Sequence, residues 1–403
     1  MQSPLVDRVY VAPGNGGTGG MGRNVQIQAD DVAGIVKFAK REKLGLIVLG
    51  QEAAVAAGAG DALRDSGFEV FGPGRDAGRI ETSKAYSKDL MRRAGIPTAD
   101  FEVFTEAGPA KAWARERGGR VAVKADGLAL GKGVVVCESV ESAEAALDQM
   151  LVERRFGRSG TTVVVEELLE GPELSAFGIT DGSEVIPLVT ARDFKRAREG
   201  DEGPNTGGMG AYSPPAGVTP ELVQDITERV LKPAVAQLRE DGFDYRGVLY
   251  AGLMLTADGP RCLEFNARFG DPEAQVVLPR LNSDLVALMQ RAARGDLTSA
   301  PQPEWDPRAA VGIVVASGGY PESYETGFPI VGLTNLPPGV MIFHAGTRFG
   351  GRDGLVTSGG RVLTSVGLGD NVEQARMIAL SGAVRVGFPG AYFRSDIASE
   401  AVR

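Results

Sequence analysis

Short apolar runs alternate with amphipathic helical patterns over residues 9–74, and this alternation limits the fold more than any other feature of the chain. Val9-Tyr10-Val11 reads as a strand and leads into the turn Pro13-Gly14-Asn15-Gly16-Gly17. An amphipathic helix is predicted over 31–43, a buried strand at Leu46-Ile47-Val48-Leu49, and a second helix over 53–66. Val70-Phe71 then enters Gly72-Pro73-Gly74. Each helix returns the chain to the same end of the sheet, so the pattern predicts an α/β unit with parallel strands.

At 403 residues the chain exceeds one compact core, and two to four domains are expected. The middle is predicted to hold helices over 83–94 and 107–117, separated by the breaker Gly95-Ile96-Pro97. A hairpin follows, Val121-Ala122-Val123-Lys124 and Val134-Val135-Val136-Cys137, then a helix over 142–152 and strands over 162–166, 175–180 and 185–189. A long polar loop is expected over 193–213, and helices over 220–241 and 284–294. The proline-rich polar stretch 297–307 reads as a boundary. Beyond it lie short strands (311–316, 340–343, 361–364) and a last helix over 372–386, a small α+β domain.

Composition removes several classes of function. The net charge is −9 with both signs interspersed, and no basic stripe suits nucleic acid. No apolar run is long enough to span a bilayer, and no secretory signal is visible. The two cysteines, Cys137 and Cys262, fall in apolar strand-like runs, as expected of buried free thiols in a reducing compartment. A cytoplasmic location is therefore expected. His344 is the single histidine, which excludes a histidine-rich metal site; it reads as structural and is assigned no chemistry.

The residues that can carry chemistry are elsewhere. Glu264-Phe265-Asn266-Ala267-Arg268 follows the apolar run 248–255. Positions two apart on a strand share a face, so Glu264 and Asn266 present two oxygen ligands together. That pair suits a Mg²⁺ ion that also holds nucleotide phosphates. Arg268 projects from the same face and can hold an anionic substrate. In the segment 124–134, a strand ends in Lys124, a turn carries Gly127, Gly131 and Gly133, and a second strand leaves. Free amides in such a turn can cradle phosphates, and the turn can close as a lid; Lys124 and Lys132 can pair with phosphates. The spacing is not that of a Walker loop. The backbone after Val163-Val164-Val165-Glu166-Glu167-Leu168-Leu169 can read an adenine edge, and Glu173 can accept from a ribose hydroxyl, although an exposed acidic strand end is the better reading of this segment taken alone. Gly203-Pro204-Asn205-Thr206-Gly207-Gly208-Met209-Gly210-Ala211-Tyr212-Ser213-Pro214 is a long loop of small residues whose backbone donors suit an anionic or carboxylate substrate.

The order of these pieces resembles the phosphoribosylamine–glycine ligase (glycinamide ribonucleotide synthetase) family of the ATP-grasp superfamily. The matching segments are 83–88, 124–133, 203–214, 250–254, 264–273, 318–321 and 343–347, spanning nearly the whole chain. The run 203–214 is specific to that family; the glycine-rich lid and Glu-x-Asn pair indicate only the superfamily. The resemblance implies an N-terminal parallel α/β domain (1–82), an ATP-grasp domain (83–300, with a lid at about 101–167) and a C-terminal α+β domain (301–403). It implies ATP with Mg²⁺ or Mn²⁺, and glycine and 5-phosphoribosylamine as substrates. Glycine's carboxylate takes the γ-phosphoryl group of ATP, and the amine then displaces phosphate from glycyl phosphate. A monomer is expected.

The resemblance also carries residue roles. Glu264 and Asn266 fall on the metal. Lys88, Lys124 and the lid residues Gly127, Gly131, Lys132 and Gly133 fall on the ATP phosphates. Glu166, Glu167 and Leu169 fall at the adenine and Glu173 at the ribose. Arg268 and Asp193, with Asn205, Thr206, Gly207 and Gly208, surround the substrates, and Arg268, Lys124 and Asp193 are the expected catalytic residues.

Departures from the family pattern are local. The family opens with a strand and a glycine-rich turn ahead of the position of Val9, and about 20 residues are expected to be missing through a mis-assigned start or truncation. Losing an inner strand is expected to expose a sheet edge and apolar surface. Gln51 replaces a family proline, and Phe194 stands where histidine is frequent; both are expected near the substrates. The competing expectations are an ATP-grasp ligase for another small carboxylate and amine, and a chain that binds ATP without turnover.

Overall fold

The computed structural model describes residues 3–127, 133–155 and 157–402. The helix predicted over 31–43 is Val32–Glu42; Asp31 caps it by accepting from the Gly34 amide, and Lys43 ends it in a left-handed conformation. The helix predicted over 53–66 is broken into Glu52–Ala57 and Ala59–Asp65 at Gly58, whose φ is +86°. The strands here do pair in parallel, Tyr10–Val11 with Arg23–Asn24 and Ile47–Val48 with Val70–Phe71, but as two separate pairs rather than one sheet. Strands of two residues leave room for few ladder bonds, and much of the intervening chain is spent on glycine-rich turns.

Two four-stranded antiparallel sheets form the middle of the molecule. One orders Val185–Pro187, Glu173–Thr180, Gly247–Thr256 and Gly259–Asn266. Its core is shared with the helices Lys84–Arg93 and Lys232–Glu240, through Leu90, Met91, Val235, Leu238, Leu249 and Phe265. The other orders Phe101–Phe104, Val163–Glu167, Arg120–Ala125 and Val134–Glu138, with Ala107–Glu116 and Val140–Leu147 packed on it. The strand Phe101–Phe104 is absent from the sequence reading because its pattern is only four residues long.

The stretch read as a polar loop over 193–213 is instead ordered into strands. Arg196–Arg198 pairs with Glu202–Asn205, and Gly210–Ser213 enters a five-stranded sheet. That sheet runs Arg192–Asp193, Gly210–Ser213, Ala309–Ala316, Arg361–Gly369, Val340–His344, and the helix Val372–Ala383 covers it. Glycine and proline hide the strand pattern there, because the ladder is made by backbone groups alone. The sheet takes strands from both sides of the helix Leu285–Arg294, so the middle and C-terminal regions are continuous.

The N-terminal turn docks on this last region. Asn15 donates to the His344 carbonyl (2.7 Å), and Gly16 donates to the Thr347 carbonyl (3.0 Å). A β-carbon on Gly17 would lie 2.5 Å from the His344 ring, so glycine is required for the approach. His344, half-buried and 3.0 Å from the Thr347 hydroxyl through Nδ1, sits in this joint.

Candidate active site

A cleft of about 620 Å³ opens where the three regions meet. Glu52 and Glu81 line it from the N-terminal region, both four-stranded sheets contribute walls, and Tyr320 and Arg361 close it from the C-terminal region.

The strand Gly259–Asn266 supplies one wall by simple alternation. Phe265 and Ala267 point into the core, 2 % and 1 % exposed, while Glu264, Asn266 and Arg268 face the cleft. The ladder to Gly247–Thr256 slips between Gly252 and Leu253, opposite Glu264 and Cys262, leaving Leu263 as an extra residue. The Leu263 carbonyl accepts from Lys124 Nζ at 3.4 Å, which ties the bulge to the facing sheet. Burial pushes the Glu264 carboxyl up, but Lys195, Lys84, Lys124 and Arg268 outweigh it, and the group stays below its ordinary value. Glu264 is thus an ionised oxygen donor beside a neutral one.

The facing wall holds a buried ion triad. Lys88 Nζ lies 2.5 Å from Glu166 Oε2, and Lys124 pairs with the other oxygen of the same carboxylate. Lys88 also donates to Thr98 Oγ1 at 2.6 Å. Burial alone would raise Glu166; the two ammonium groups hold it low, while burial lowers Lys88. Two cations against one anion leave one positive charge in surplus, aimed into the cleft, which suits phosphate. The sequence reading gave Glu166 to the adenine; its side chain is committed to the lysines. Glu167, Leu169, Gly127 and Gly133 line the same wall, whereas Gly131 and Lys132 lie outside the described residues.

A third group stands between these walls. Lys195 pairs with Glu173, the residue expected at the ribose. Burial lowers Lys195, but Asp193, Glu173 and Glu264 raise it further than burial lowers it. Asp193 is pushed up to about 7 by burial, opposed by Lys195 and assisted by Glu273 and Glu173. Glu273 is itself buried and accepts from Tyr250 Oη (2.8 Å) and Ser175 Oγ (3.1 Å).

The raised Asp193 has a consequence for stability. Between its ordinary value of 3.8 and about 7 the folded chain binds more protons at this site than the unfolded chain, so stability falls as pH rises through that window. Asp193→Asn is expected to gain stability relative to the parent as pH climbs to 7 and beyond, and to lose that gain near pH 4. Thermal melts across this range check it; a gain independent of pH would show that ionisation is not its cause.

Arg268 is held from two sides, Nη2 3.1 Å from Glu81 and Nε 3.6 Å from Glu52. Glu81 also accepts from the Ala267 amide at 2.9 Å. The loop expected to offer backbone donors spends them internally. The Thr206 amide donates to the Lys195 carbonyl, the Gly207 amide to Tyr320 Oη, and the Gly208 amide to Thr206 Oγ1. Asn205, Thr206 and Gly207 line the cleft, while Gly208 stands behind it, with φ +110° and a notional β-carbon 2.4 Å from Pro272. Arg361 donates to the carbonyls of Gly207 (2.7 Å) and Asp271 (2.6 Å). Phe194 is buried against Tyr212, ring centroids 6.1 Å apart, and is not among the lining residues; Gln51 is. Glu81, Glu273, Lys195, Tyr320 and Arg361 were given no role by the sequence reading. Glu273 and Tyr320 lie inside segments that carried the resemblance and Lys195 lies two residues past Asp193; Glu81, just ahead of the segment 83–88, had no signal of its own.

Interleaved anions and cations in one cleft can bind a zwitterion and several phosphates together, and exclude water while charge moves between them. Comparison with known proteins finds relatives along the whole chain. Family models of phosphoribosylglycinamide synthetase match in order: the N domain over 1–81, the ATP-grasp (A) domain over 82–274 and the C domain over 310–400. The chain is 49 % identical over 405 residues to a phosphoribosylamine–glycine ligase of Allochromatium vinosum, covering 100 % of this chain and 94 % of that one. It superposes on the crystal structure of phosphoribosylamine–glycine ligase from Thermotoga maritima with a TM-score of 0.84 at 34 % identity, covering 97 % and 94 % of the two chains. The biotin carboxylase domain of Hydrogenobacter thermophilus 2-oxoglutarate carboxylase, solved with MgADP and bicarbonate, shares the fold at a TM-score of 0.71 and 18 % identity, covering 92 % and 81 %.

Proposed function

This chain belongs to the phosphoribosylglycinamide synthetase family, and from that premise we infer that it joins glycine to 5-phosphoribosylamine with ATP, giving glycinamide ribonucleotide, ADP and phosphate. The observation that carries the reading is the pairing, across one cleft, of the Lys88–Glu166–Lys124 triad with the Glu264–Asn266 strand end.

The triad receives phosphate oxygens: when they arrive, Lys88 and Lys124 turn part of their charge from Glu166 toward them without leaving it unpaired. The backbone of 167–169, at the end of the same wall, suits the adenine. Glu173, held by Lys195, faces the cleft where a ribose hydroxyl can donate to it. Glycine is a zwitterion, so its site needs both signs. Arg268 serves the carboxylate, and Asp193 the ammonium, whose charge would draw the Asp193 proton off. Asn205 and Thr206 form the wall beside them. Phosphorylation makes the carboxylate an acylating agent; the protein's share is to align the reactants and stabilise the moving charge.

Glu264 and Asn266 fit a Mg²⁺ ion, and Mn²⁺ by the same oxygen chemistry. Among the described residues no group of three or more His, Cys, Asp or Glu side chains is placed to hold a metal. An ion here therefore needs oxygens from the phosphates, as Mg²⁺ sites built on one or two protein ligands do. When bound, it neutralises phosphate charge during transfer. Lining residues from all three regions of one chain support a monomer as the working unit. Both cysteines are buried and free, which supports a reducing, cytoplasmic setting. No helix among the described residues is long and apolar enough to cross a membrane.

The test is ADP release with Mg·ATP, glycine and freshly generated phosphoribosylamine, each omitted in turn. Release that requires all three is the expected result. Release supported by another amino acid and not by glycine would replace the substrate assignment, and ATP binding without release would mark a chain that does not turn over.

A further inference from the structure

We propose that Arg394, remote from the cleft wall, is a positioning residue for the substrates, acting through the hairpin of Arg196–Arg198 and Glu202–Asn205. This rests on the reading that Asp193 and Asn205–Thr206 surround glycine and its partner. Arg394 is 2 % exposed. Its Nε and Nη2 each donate to Asp396 at 2.9 Å, a bidentate pair that fixes the plane of the guanidinium. Its Nη1 then reaches the hairpin, donating to the Arg196 carbonyl at 2.9 Å and to Asp201 Oδ1 at 3.2 Å. The guanidinium carbon lies 5.3 Å from the centre of the Phe194 ring.

The neighbours of Arg394 grip the same turn. The amide and hydroxyl of Ser395 donate to Glu199 Oε1 at 3.0 and 2.5 Å, and the Gly200 amide donates to Asp396 Oδ2 at 2.9 Å. Asp201 is held at φ +60°, a left-handed conformation that strains a non-glycine residue and persists only where its surroundings enforce it. The hairpin has little ladder of its own: the register shifts between its two pairs, Arg196 with Asn205 and Arg198 with Glu202.

Both feet of this hairpin are cleft wall. Asp193 and Lys195 precede it, Asn205 ends it, and Thr206 and Gly207 follow. The feet are tied together by the Thr206 amide and hydroxyl, both on the Lys195 carbonyl, at 2.7 and 2.8 Å. A clamp on the tip therefore sets where Lys195 and Asn205 stand. Burying a charged fork is a costly way merely to fasten a turn, since apolar packing does so at least as well. What the fork adds is a fixed direction.

Arg394→Gln is expected to raise KM for glycine about tenfold, on the scale at which misplacing a remote support costs catalysis, while KM for ATP, reached only through Lys195 and Glu173, rises by about threefold or less. Amide hydrogen exchange over 196–206 should quicken in the same variant, with the strand Gly259–Asn266 unchanged. Arg394→Lys, which keeps the charge and loses the fork, should fall between the parent and Arg394→Gln. Ser395→Ala, at an exposed contact, should shift both readouts the same way by a smaller factor, and it decides the matter if Arg394→Gln does not fold. A folded variant with unchanged exchange over 196–206, or with KM for ATP rising as much as KM for glycine, overturns the proposal. If the parent shows no glycine-dependent ADP release, the substrate reading has failed, and the exchange measurement still decides whether Arg394 holds the hairpin.

Discussion

Replacing Glu264 by Gln is expected to lower ADP release by about 100-fold or more while the chain stays folded, since single groups that stabilise charge in a transition state act on that scale. The fold has little reason to respond. Gln keeps the shape of the side chain, the strand is fixed by its ladder to Gly247–Thr256, and Phe265 and Ala267 anchor its other face in the core. The chemistry has every reason to respond. Glu264 is the one ionised carboxylate of the Glu264–Asn266 pair, kept charged by Lys195, Lys84, Lys124 and Arg268 against the pull of burial. Without it those cations face Asn266 alone, which is a neutral ligand. ATP-dependent Mn²⁺ binding, read by its paramagnetic signal, should weaken in parallel with turnover. Activity within about threefold of the parent, with metal binding intact, would remove Glu264 from the metal site.

Arg268→Ala should act on stability and turnover together, and a second substitution should separate them. Glu81 is nearly buried, and burial raises its pKa, opposed first by Arg268 and then by the Ala267 amide. Removing Arg268 strips the larger opposing charge. The expected cost is roughly 2 kcal/mol near neutral pH, below the usual cost of breaking a fully buried pair because Arg268 is partly exposed. The sign with pH follows from the direction of the shift. A carboxyl whose folded pKa is raised destabilises as pH climbs from its unfolded value of 4.5 toward the folded one, so the deficit should shrink in acid. Glu81→Gln/Arg268→Ala should recover most of the stability and none of the activity, because the missing guanidinium is also the group proposed for the glycine carboxylate. Turnover is expected to stay about 100-fold down in both. Thermal melts and the same ADP assay check the pair of variants; recovery of activity in the double variant would make Arg268 purely structural.

Much of the cleft lining was legible because its residues are close together in sequence. Glu264 and Asn266 share a strand and Arg268 follows two residues past its end, so period-two geometry puts them on one face. Lys124 was legible for a similar reason, ending a strand before a glycine-rich turn. What stayed hidden depends on chain segments that meet only after folding. Glu81 is 187 positions from Arg268, and nothing near it distinguishes it from a surface carboxylate. Glu166 was read by its place at a strand end; that its carboxylate lies between Lys88 and Lys124 follows only from the way the segments pack, with Arg120–Ala125 paired to Val163–Glu167. The substrate loop misled in another way. Its amides were read as free because no strand pattern was visible, yet backbone ladders need no side-chain pattern, and the Thr206, Gly207 and Gly208 donors are already engaged.

The five-stranded sheet has a bearing on how this polypeptide is made. Gly210–Ser213 lies directly beside Ala309–Ala316, nearly a hundred positions later in the chain. On the ribosome the earlier strand emerges with its edge unpaired and waits for its neighbour to be synthesised, a delay of several seconds at ordinary elongation rates. The same arrangement governs dissection. A fragment cut at the proline-rich stretch before Ala309 would carry a sheet stripped of its Gly210–Ser213 neighbour, with Val311 and Ile313 bared along a new edge, and should self-associate. Supplying the 190–214 segment as a separate peptide should restore a monodisperse fragment, making this strand a handle for split-protein complementation.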